Sequence, residues 1–358
     1  MPEAHAGRRD RLRAMLAERD VDSALVSRLV NVRYLSGFTG SNGALLVSSD
    51  SAVLTTDGRY TTQAAAQAPD VECLTVGGVL SALVKRAGQA GARRLGFEAH
   101  DMTVETYEAL RALDHPVELV ALGRAVEELR LVKDDDEIAL IRQACAAADH
   151  ALADLLASIR PGRTEKEVAA DLENRMRGHG ADGPSFETIV ATGPNSAVPH
   201  HRPTDRPIES GDLLKLDFGA LVAGYHSDMT RTVVVGGASD WQRDVYDLVS
   251  RAQQAAIDAL AVGAVTGELD KIARDVIDAA GHGDDYTHSL GHGVGLEIHE
   301  APTLRSGGSD RLADRTPVTV EPGVYLPGRG GVRIEDLLVV GTAGAESLTT
   351  TTKDLLVL

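Results

Sequence analysis

The chain opens on a helical pattern. Leu12, Met15 and Leu16 recur at helical spacing and predict a helix over residues 8–20. Short apolar runs between turns then predict strands at 24–26, 43–47 and 52–55. The segment TTDGRYTTQAAAQA passes from strand through a turn into a helix. LGFEA, near residue 97, reads as another strand, and residues 104–113 as another helix. Strands alternating with helices predict a smaller N-terminal α/β domain over residues 1–126. Asp134 and Glu137 then form an Asp-x-x-Glu capping pattern. Ile138, Ile141, Cys145, Ala148, Leu152 and Leu155 follow at helical spacing for about five turns. A second helix is expected over 165–177, strands from 183 onward, and helices near 240–261 and 266–280. This second domain spans 127–358, and the whole reads as α+β.

The length of 358 residues agrees with two domains. Hydrophobic residues at 43% and charged residues at 25% place the chain in the globular class. Aromatics at 3% leave the core to Leu, Val, Ile and Ala. With 53 acidic and 36 basic residues the net charge is -17, which repels a phosphate backbone and removes nucleic acid as an expected partner. No long apolar run exists, so no membrane-spanning helix is expected. The segment MPEAHAGRRDRLRAM lacks an apolar stretch and is not read as a secretory signal. The only cysteines, Cys73 and Cys145, cannot make a disulfide framework, and the expected location is a reducing cytoplasm.

Candidate chemistry lies in two segments that read as hairpins. In GDLLKLDFGALVAGYHSDMTRTVVV, a turn centred between Val222 and Ala223 would set Asp217 opposite Asp228. In VTVEPGVYLPGRGGVRIEDLLVV, a turn centred on Gly328 would set Glu321 opposite Glu335. Directly opposed residues share a face of the sheet, with Cβ atoms about 4.5–5.5 Å apart. Like charges that close need something positive between them. Between the hairpins lies THSLGHGVGLEIHE, with His288, His292 and His299. A lone Asp or His in a strand is ordinarily solvated or hydrogen-bonded. Four carboxylates in two facing pairs are harder to satisfy, because burying them without counter-ions is costly. Lys215, Arg231 and Arg333 could neutralise part of that charge. The oxygen-rich donor set with one imidazole suits Mn²⁺ or another hard divalent ion better than a structural zinc site. Two ions about 3.5–4 Å apart could share bridging carboxylates and a bridging hydroxide.

LDFGALVAGYHSDMTRT, GHGVGLEIHE, VEPGVY and VRIED together closely resemble the pita-bread metallopeptidases, in their aminopeptidase P and prolidase branch. SFETIVATGPNSAVPHHRP is similar to the same branch, and NVRYLSGFTGSNGALLV and TTDGRYTTQAA extend the likeness into a creatinase-N-like first domain. The resemblance implies a pita-bread catalytic domain holding two divalent ions per subunit, manganese first, with cobalt, zinc or iron as alternatives. It implies that Asp217 binds one ion, His292 and Glu321 the other, and that Asp228 and Glu335 bridge both. It places His299 by the scissile carbonyl and His200 by the scissile nitrogen, with Glu321 also as a proton relay. His288 and Arg333 match outer or substrate-pocket positions. His201 has no clear family role and reads as a surface residue.

The activity implied is hydrolysis of an N-terminal Xaa-Pro bond by a metal-bridging hydroxide, an Xaa-Pro aminopeptidase like the small bacterial ones. The alternative is a prolidase restricted to Xaa-Pro dipeptides. A metal-free creatinase-like hydrolase and a non-catalytic binding module are disfavoured by the intact ligand set, and a methionine aminopeptidase by the N-terminal domain. The partners expected are peptides with proline second and a second copy of the chain, whose N-terminal domain would help shape the neighbouring site.

Overall fold

The computed structural model describes residues 2–358 and divides into two compact units, Met1–Arg130 and Leu131–Leu358. The division falls four residues beyond the expected boundary between 126 and 127. The reason is the helix Ala125–Arg130, in which Ala125, Val126 and Arg130 are buried. Arg130 Nη1 donates to Asn31 Oδ1 at 2.7 Å, so this turn of helix is tied into the first unit.

The first unit is built on a six-stranded mixed sheet. Its order is Glu72–Thr75, Ala52–Thr56, Gly43–Ser48, Ser23–Val26, Arg94–Phe97 and Glu118–Ala121. The three strands foreseen from apolar runs pair antiparallel in its middle, and the rest add in parallel. The outermost strands, Glu72–Thr75 and Glu118–Ala121, were not foreseen. No residue of either is fully buried: both are short, exposed edge strands. The first helix runs Pro2–Glu18, with Leu12 and Leu16 buried.

The second unit is the α+β unit that carries the site. Its long helix Asp135–Leu156 starts from Asp134, whose Oδ1 accepts Glu137 N at 2.9 Å while Glu137 Oε2 accepts Asp134 N at 3.0 Å. This reciprocal cap satisfies donors that a helix start leaves unpaired. Ile141, Ala144, Cys145, Ala148, Leu152 and Leu155 are fully buried on one face. Of these, Ala144, Ala148, Leu152 and Leu155 pack with the helix Glu165–Gly178 onto a three-stranded sheet of Ile189–Thr192, Leu213–Phe218 and Met229–Val234. A second helix pair, Asp240–Asp258 and Thr266–Ala279, covers a five-stranded sheet. That sheet contains Gly291–Gly293, Thr316–Val320 and Asp336–Gly341.

The first hairpin departs from the expected register. Ala223 and Gly224 have φ of 46° and 80° and are flanked by the pair Val222 and Tyr225. Two successive residues at positive φ make the mirror-image turn that two-residue hairpin loops favour. The turn is therefore centred one residue later than expected, and Asp217 pairs with Thr230, not Asp228. Asp228 sits just before its strand, where the chain switches sheets at Gly219. A Cβ on Gly219 would come within 1.8 Å of Ser227 O, so only glycine permits this crossing. The second hairpin keeps the expected register: Val320 pairs with Asp336 and Gly323 with Arg333, which sets Glu321 and Glu335 at facing positions.

Leu152→Ala should lower the unfolding free energy of the second unit by about 2–5 kcal/mol, through lost transfer energy and a residual cavity. Asp134→Ala should lower it by about 0.5–2 kcal/mol, through a lost cap. Urea titration of both variants checks the order; a larger effect at Asp134 would contradict it.

Candidate metal centre

Asp217, Asp228, His292, Glu321 and Glu335 line one cavity of about 700 Å³ in the second unit, with His200, His288, His299 and Arg333 in the same wall. Each side chain arrives from a different local device. Asp217 ends a buried strand and Asp228 follows the sheet switch. His292 lies between two glycines: a Cβ on Gly291 would lie 2.0 Å from Thr319 O, and one on Gly293 would lie 2.3 Å from Ala301 O. The glycines bring the neighbouring backbones close on either side of the imidazole.

Donor atoms of Asp228, His292 and Glu335 all lie within 4.8 Å of one another, a grouping able to hold a metal ion. His292 Nε2 is 3.6 Å from Asp228 Oδ2 and 3.3 Å from Glu321 Oε1. Asp217 and Glu321 stand outside that threesome but in the same cavity. Arg333 Nη2 donates to Asp217 Oδ2, and Thr230 Oγ1 donates to Glu335 Oε2 at 2.7 Å. Asp217 Oδ1, Asp228 Oδ1 and Glu335 Oε1 are buried without a hydrogen-bond partner. The protein thus holds one oxygen of Asp217 and one of Glu335 and leaves the other free. Buried acceptors are rarely unsatisfied unless an ion or similar group serves them.

The electrostatics agree. Burial, reinforced by the Asp217 charge, raises the Asp228 carboxyl well above the usual range. Burial and the Asp228 charge do the same to Glu335. Burial also opposes ionisation of Glu321, but the hydrogen bond and charge of His292 outweigh it and hold Glu321 at about 2. His292 is correspondingly raised to about 9 against its own desolvation. Carboxylates forced together at the buried base of a cavity demand positive charge, and the donor set of four carboxylates and one imidazole fits hard divalent ions.

Around this set the structure assigns partners that sequence patterns did not reveal. His288 Nδ1 meets Ser289 O and its Nε2 meets Tyr325 OH, both at 2.8 Å. Tyr325 OH accepts from Arg333 Nη1 at 2.7 Å, so a chain of contacts runs from His288 through Tyr325 and Arg333 to Asp217. Arg333 Nε also donates to Thr230 Oγ1 and Nη1 to Pro199 O. Arg333 is therefore a buried strut under Asp217, the outer of the two kinds of position expected for it, while it also lines the cavity. Its nearest sequence cue was the Tyr of VEPGVY, since a buried tyrosine needs a partner for its hydroxyl. His299 stacks edge-on to His292 with ring centroids 4.4 Å apart. Burial, then the His292 charge, lowers the His299 pKa and keeps it neutral.

His200 sits on a loop that two buried charges hold. The Glu165 carboxylate accepts from Thr192 N, Asn195 Nδ2, His201 Nε2, Thr204 N and Thr204 Oγ1 at 2.6–2.9 Å. Lys215 Nζ donates to Ser196 O, Val198 O and Pro199 O. His201 is consequently an anchor for this loop, not the surface residue expected. Lys215 holds backbone carbonyls, and Arg231 pairs with Asp336 and reaches Glu335 only at its backbone carbonyl, so of the three cations foreseen as neutralising the carboxylates Arg333 is the one that donates to a candidate ligand carboxylate, that of Asp217.

Residues 139–342 match metallopeptidase family M24, and residues 8–132 match the creatinase/prolidase N-terminal domain. The chain belongs to metallopeptidase family M24. Among its M24 relatives, the Bacillus subtilis peptidase YqhT is 42% identical over 350 residues, covering 98% of this chain and 99% of that protein. The Xaa-Pro dipeptidase of Pyrococcus furiosus is 37% identical, covering 98% and 99%. Solved structures include the Xaa-Pro dipeptidase from Bacillus anthracis, at TM-score 0.95, 40% identity and coverage of 99% and 100%. The X-Pro aminopeptidase from Thermotoga maritima has TM-score 0.91, 35% identity and coverage of 98% and 99%. The two-domain pita-bread fold expected for the M24 chain is thereby shown.

Removing divalent ions with a chelator and restoring Mn²⁺ at about 100 times its dissociation constant should stabilise the folded protein by about 2.7 kcal/mol. Asp228→Asn should abolish that gain. In the chelated state the same change should stabilise by about 1–3 kcal/mol, because an amide escapes the penalty that burial and the Asp217 charge place on ionising Asp228. Thermal melts with and without Mn²⁺ read both signs; a destabilised chelated variant would contradict the account.

Proposed function

We propose that this M24 chain is an Xaa-Pro dipeptidase that hydrolyses the bond between the first residue and proline. The observation that carries the reading is the single cavity of five ligand-type side chains with unpartnered, inward carboxylate oxygens. The relatives named as Xaa-Pro dipeptidases, at 37% and 40% identity over nearly the whole chain, favour this over the aminopeptidase expected first. The Thermotoga maritima neighbour supports the aminopeptidase as second reading.

Asp217, Asp228, His292, Glu321 and Glu335 would hold two divalent ions, with manganese preferred for the oxygen-rich set. When bound, such ions supply Lewis acidity and lower the pKa of water toward neutrality. The chain's own groups do the rest. Neutral His299 carries a ring N–H that can donate to the scissile carbonyl oxygen as charge develops there. Glu321 carries an ionised carboxylate able to take a proton from the attacking water and deliver it toward the leaving nitrogen. His200, on its anchored loop, stands beside that nitrogen. A proline nitrogen lacks an N–H, so a peptidase relying on that donor loses a contact that this site need not use. The working form is read as a cytoplasmic homodimer.

Cleavage of Ala-Pro against Ala-Pro-Ala by the Mn²⁺-loaded protein tests the reading, and equal rates would favour the aminopeptidase. His200→Ala should retain its metal by elemental analysis yet lose about 10²–10⁴-fold in kcat. Stoichiometric metal loss would mean that His200 is a ligand.

A further inference from the structure

A dipeptide differs from every longer peptide at one group beside the scissile bond. The carbon next to the leaving nitrogen carries a free carboxylate instead of an amide. A cavity walled by Asp217, Asp228, Glu321 and Glu335 offers that carboxylate no welcome of its own beyond what bound ions supply. Reading it as a carboxylate requires a cation with donors to spare. Among the described residues lining the cavity, the arginines are Arg202 and Arg333. Arg333 is 1% exposed, and Thr230, Pro199, Tyr325 and Asp217 occupy its guanidinium.

Arg202 differs in every respect. Its side chain is 84% exposed, and its ion-pair partner is Glu187 Oε2, 3.3 Å from Nη2. Glu187 lines the same cavity. An exposed pair of this kind contributes little and exchanges readily. The backbone beneath Arg202 is nevertheless fixed, because Glu165 holds His201 and Thr204 on either side of it. His200 is two residues earlier on the same loop, and the Xaa-Pro reading sets it beside the leaving nitrogen. The substrate carboxylate is bonded to the carbon adjacent to that nitrogen, and Arg202 lines the same cavity as His200.

We propose that Arg202 reads the free carboxylate of the dipeptide, exchanging Glu187 for it, and so sets the preference for dipeptides. This rests on the dipeptidase reading and deepens it. The planar guanidinium presents paired N–H donors that match both oxygens of a carboxylate. The amide of a longer peptide carries no charge to displace Glu187, so Arg202 gains nothing from it.

The test is steady-state kinetics of the Mn²⁺-loaded full chain on Ala-Pro, Ala-Pro-NH2 and Ala-Pro-Ala. The parent should favour Ala-Pro. In Arg202→Met the ratio of kcat/KM for Ala-Pro to that for Ala-Pro-NH2 should fall by about 10- to 100-fold, mostly through KM for the acid. Arg202→Lys should recover part of the ratio, since it keeps charge but loses the fork. The double variant Arg202→Met with Glu187→Gln should stay indifferent to the carboxylate. Restored preference in it would show that uncovered Glu187, not lost Arg202, was responsible, and would overturn the proposal. A parent preference for Ala-Pro that survives Arg202→Met would also overturn it while leaving the dipeptidase reading intact. A parent that cleaves all three substrates equally would overturn the dipeptidase reading and the role of Arg202 with it.

Discussion

Mutual repulsion among the buried carboxyl groups of Asp217, Asp228, Glu321 and Glu335 in one cavity is the constraint around which the second unit is arranged. Three of the four carboxylates are fixed from behind. Arg333 holds Asp217, Thr230 holds Glu335, and Thr319 Oγ1 donates to Glu321 at 3.1 Å. None of these contacts removes the crowding at the front, where Asp217 Oδ1, Asp228 Oδ1 and Glu335 Oε1 have no partner. Neutralising every oxygen from within the protein would have made a stable core and no site. Leaving the forward oxygens unserved stores a demand for cations, at a cost in folding stability that ion binding offsets.

The same division of labour governs the rim. Glu165 and Lys215 are both fully buried, of opposite charge, and grip opposite polarities of one loop. The anion takes N–H and side-chain donors from Thr192, Asn195, His201 and Thr204, and the cation takes carbonyls of Ser196, Val198 and Pro199. An irregular segment that lacks ladder partners obtains them from two buried polar side chains. His200, between the gripped positions, is exposed yet placed on a fixed backbone.

How legible this was depended on where the information lay. The facing of Glu321 and Glu335 was readable because the glycine-rich turn centred on Gly328 sets the register, and a period-2 strand carries it forward. The facing of Asp217 and Asp228 was misread because the positive φ of Ala223 moved the turn centre, and alanine gives no warning of a left-handed conformation. The outer strands of the first unit are four residues each at exposed edges, too short for their few apolar positions to separate strand from loop. The five candidate ligands that line the cavity were named through motif resemblance, whereas the contacts of Glu165, Lys215 and Tyr325 depend on partners distant in sequence. A pattern search along the chain sees a buried Lys or Glu only as a charge.

His292 shows how little freedom remains once those contacts are in place. Its backbone N–H donates to Thr319 Oγ1 at 3.0 Å, which obliges that hydroxyl to turn its own proton to Glu321. Its Nδ1 faces Gly293 O at 3.0 Å, and a carbonyl can only accept, so the ring proton belongs on Nδ1. The nitrogen left toward Asp228 and Glu321 is Nε2, which in the neutral ring offers a lone pair. Without a cation that lone pair gathers a proton from its acidic surroundings, consistent with the raised pKa of about 9. With a cation, the same lone pair is already aimed between the carboxylates. One threonine and two close-approach glycines thereby convert an otherwise ambiguous histidine into an oriented donor, and the proton it carries in the metal-free protein marks where positive charge is wanted.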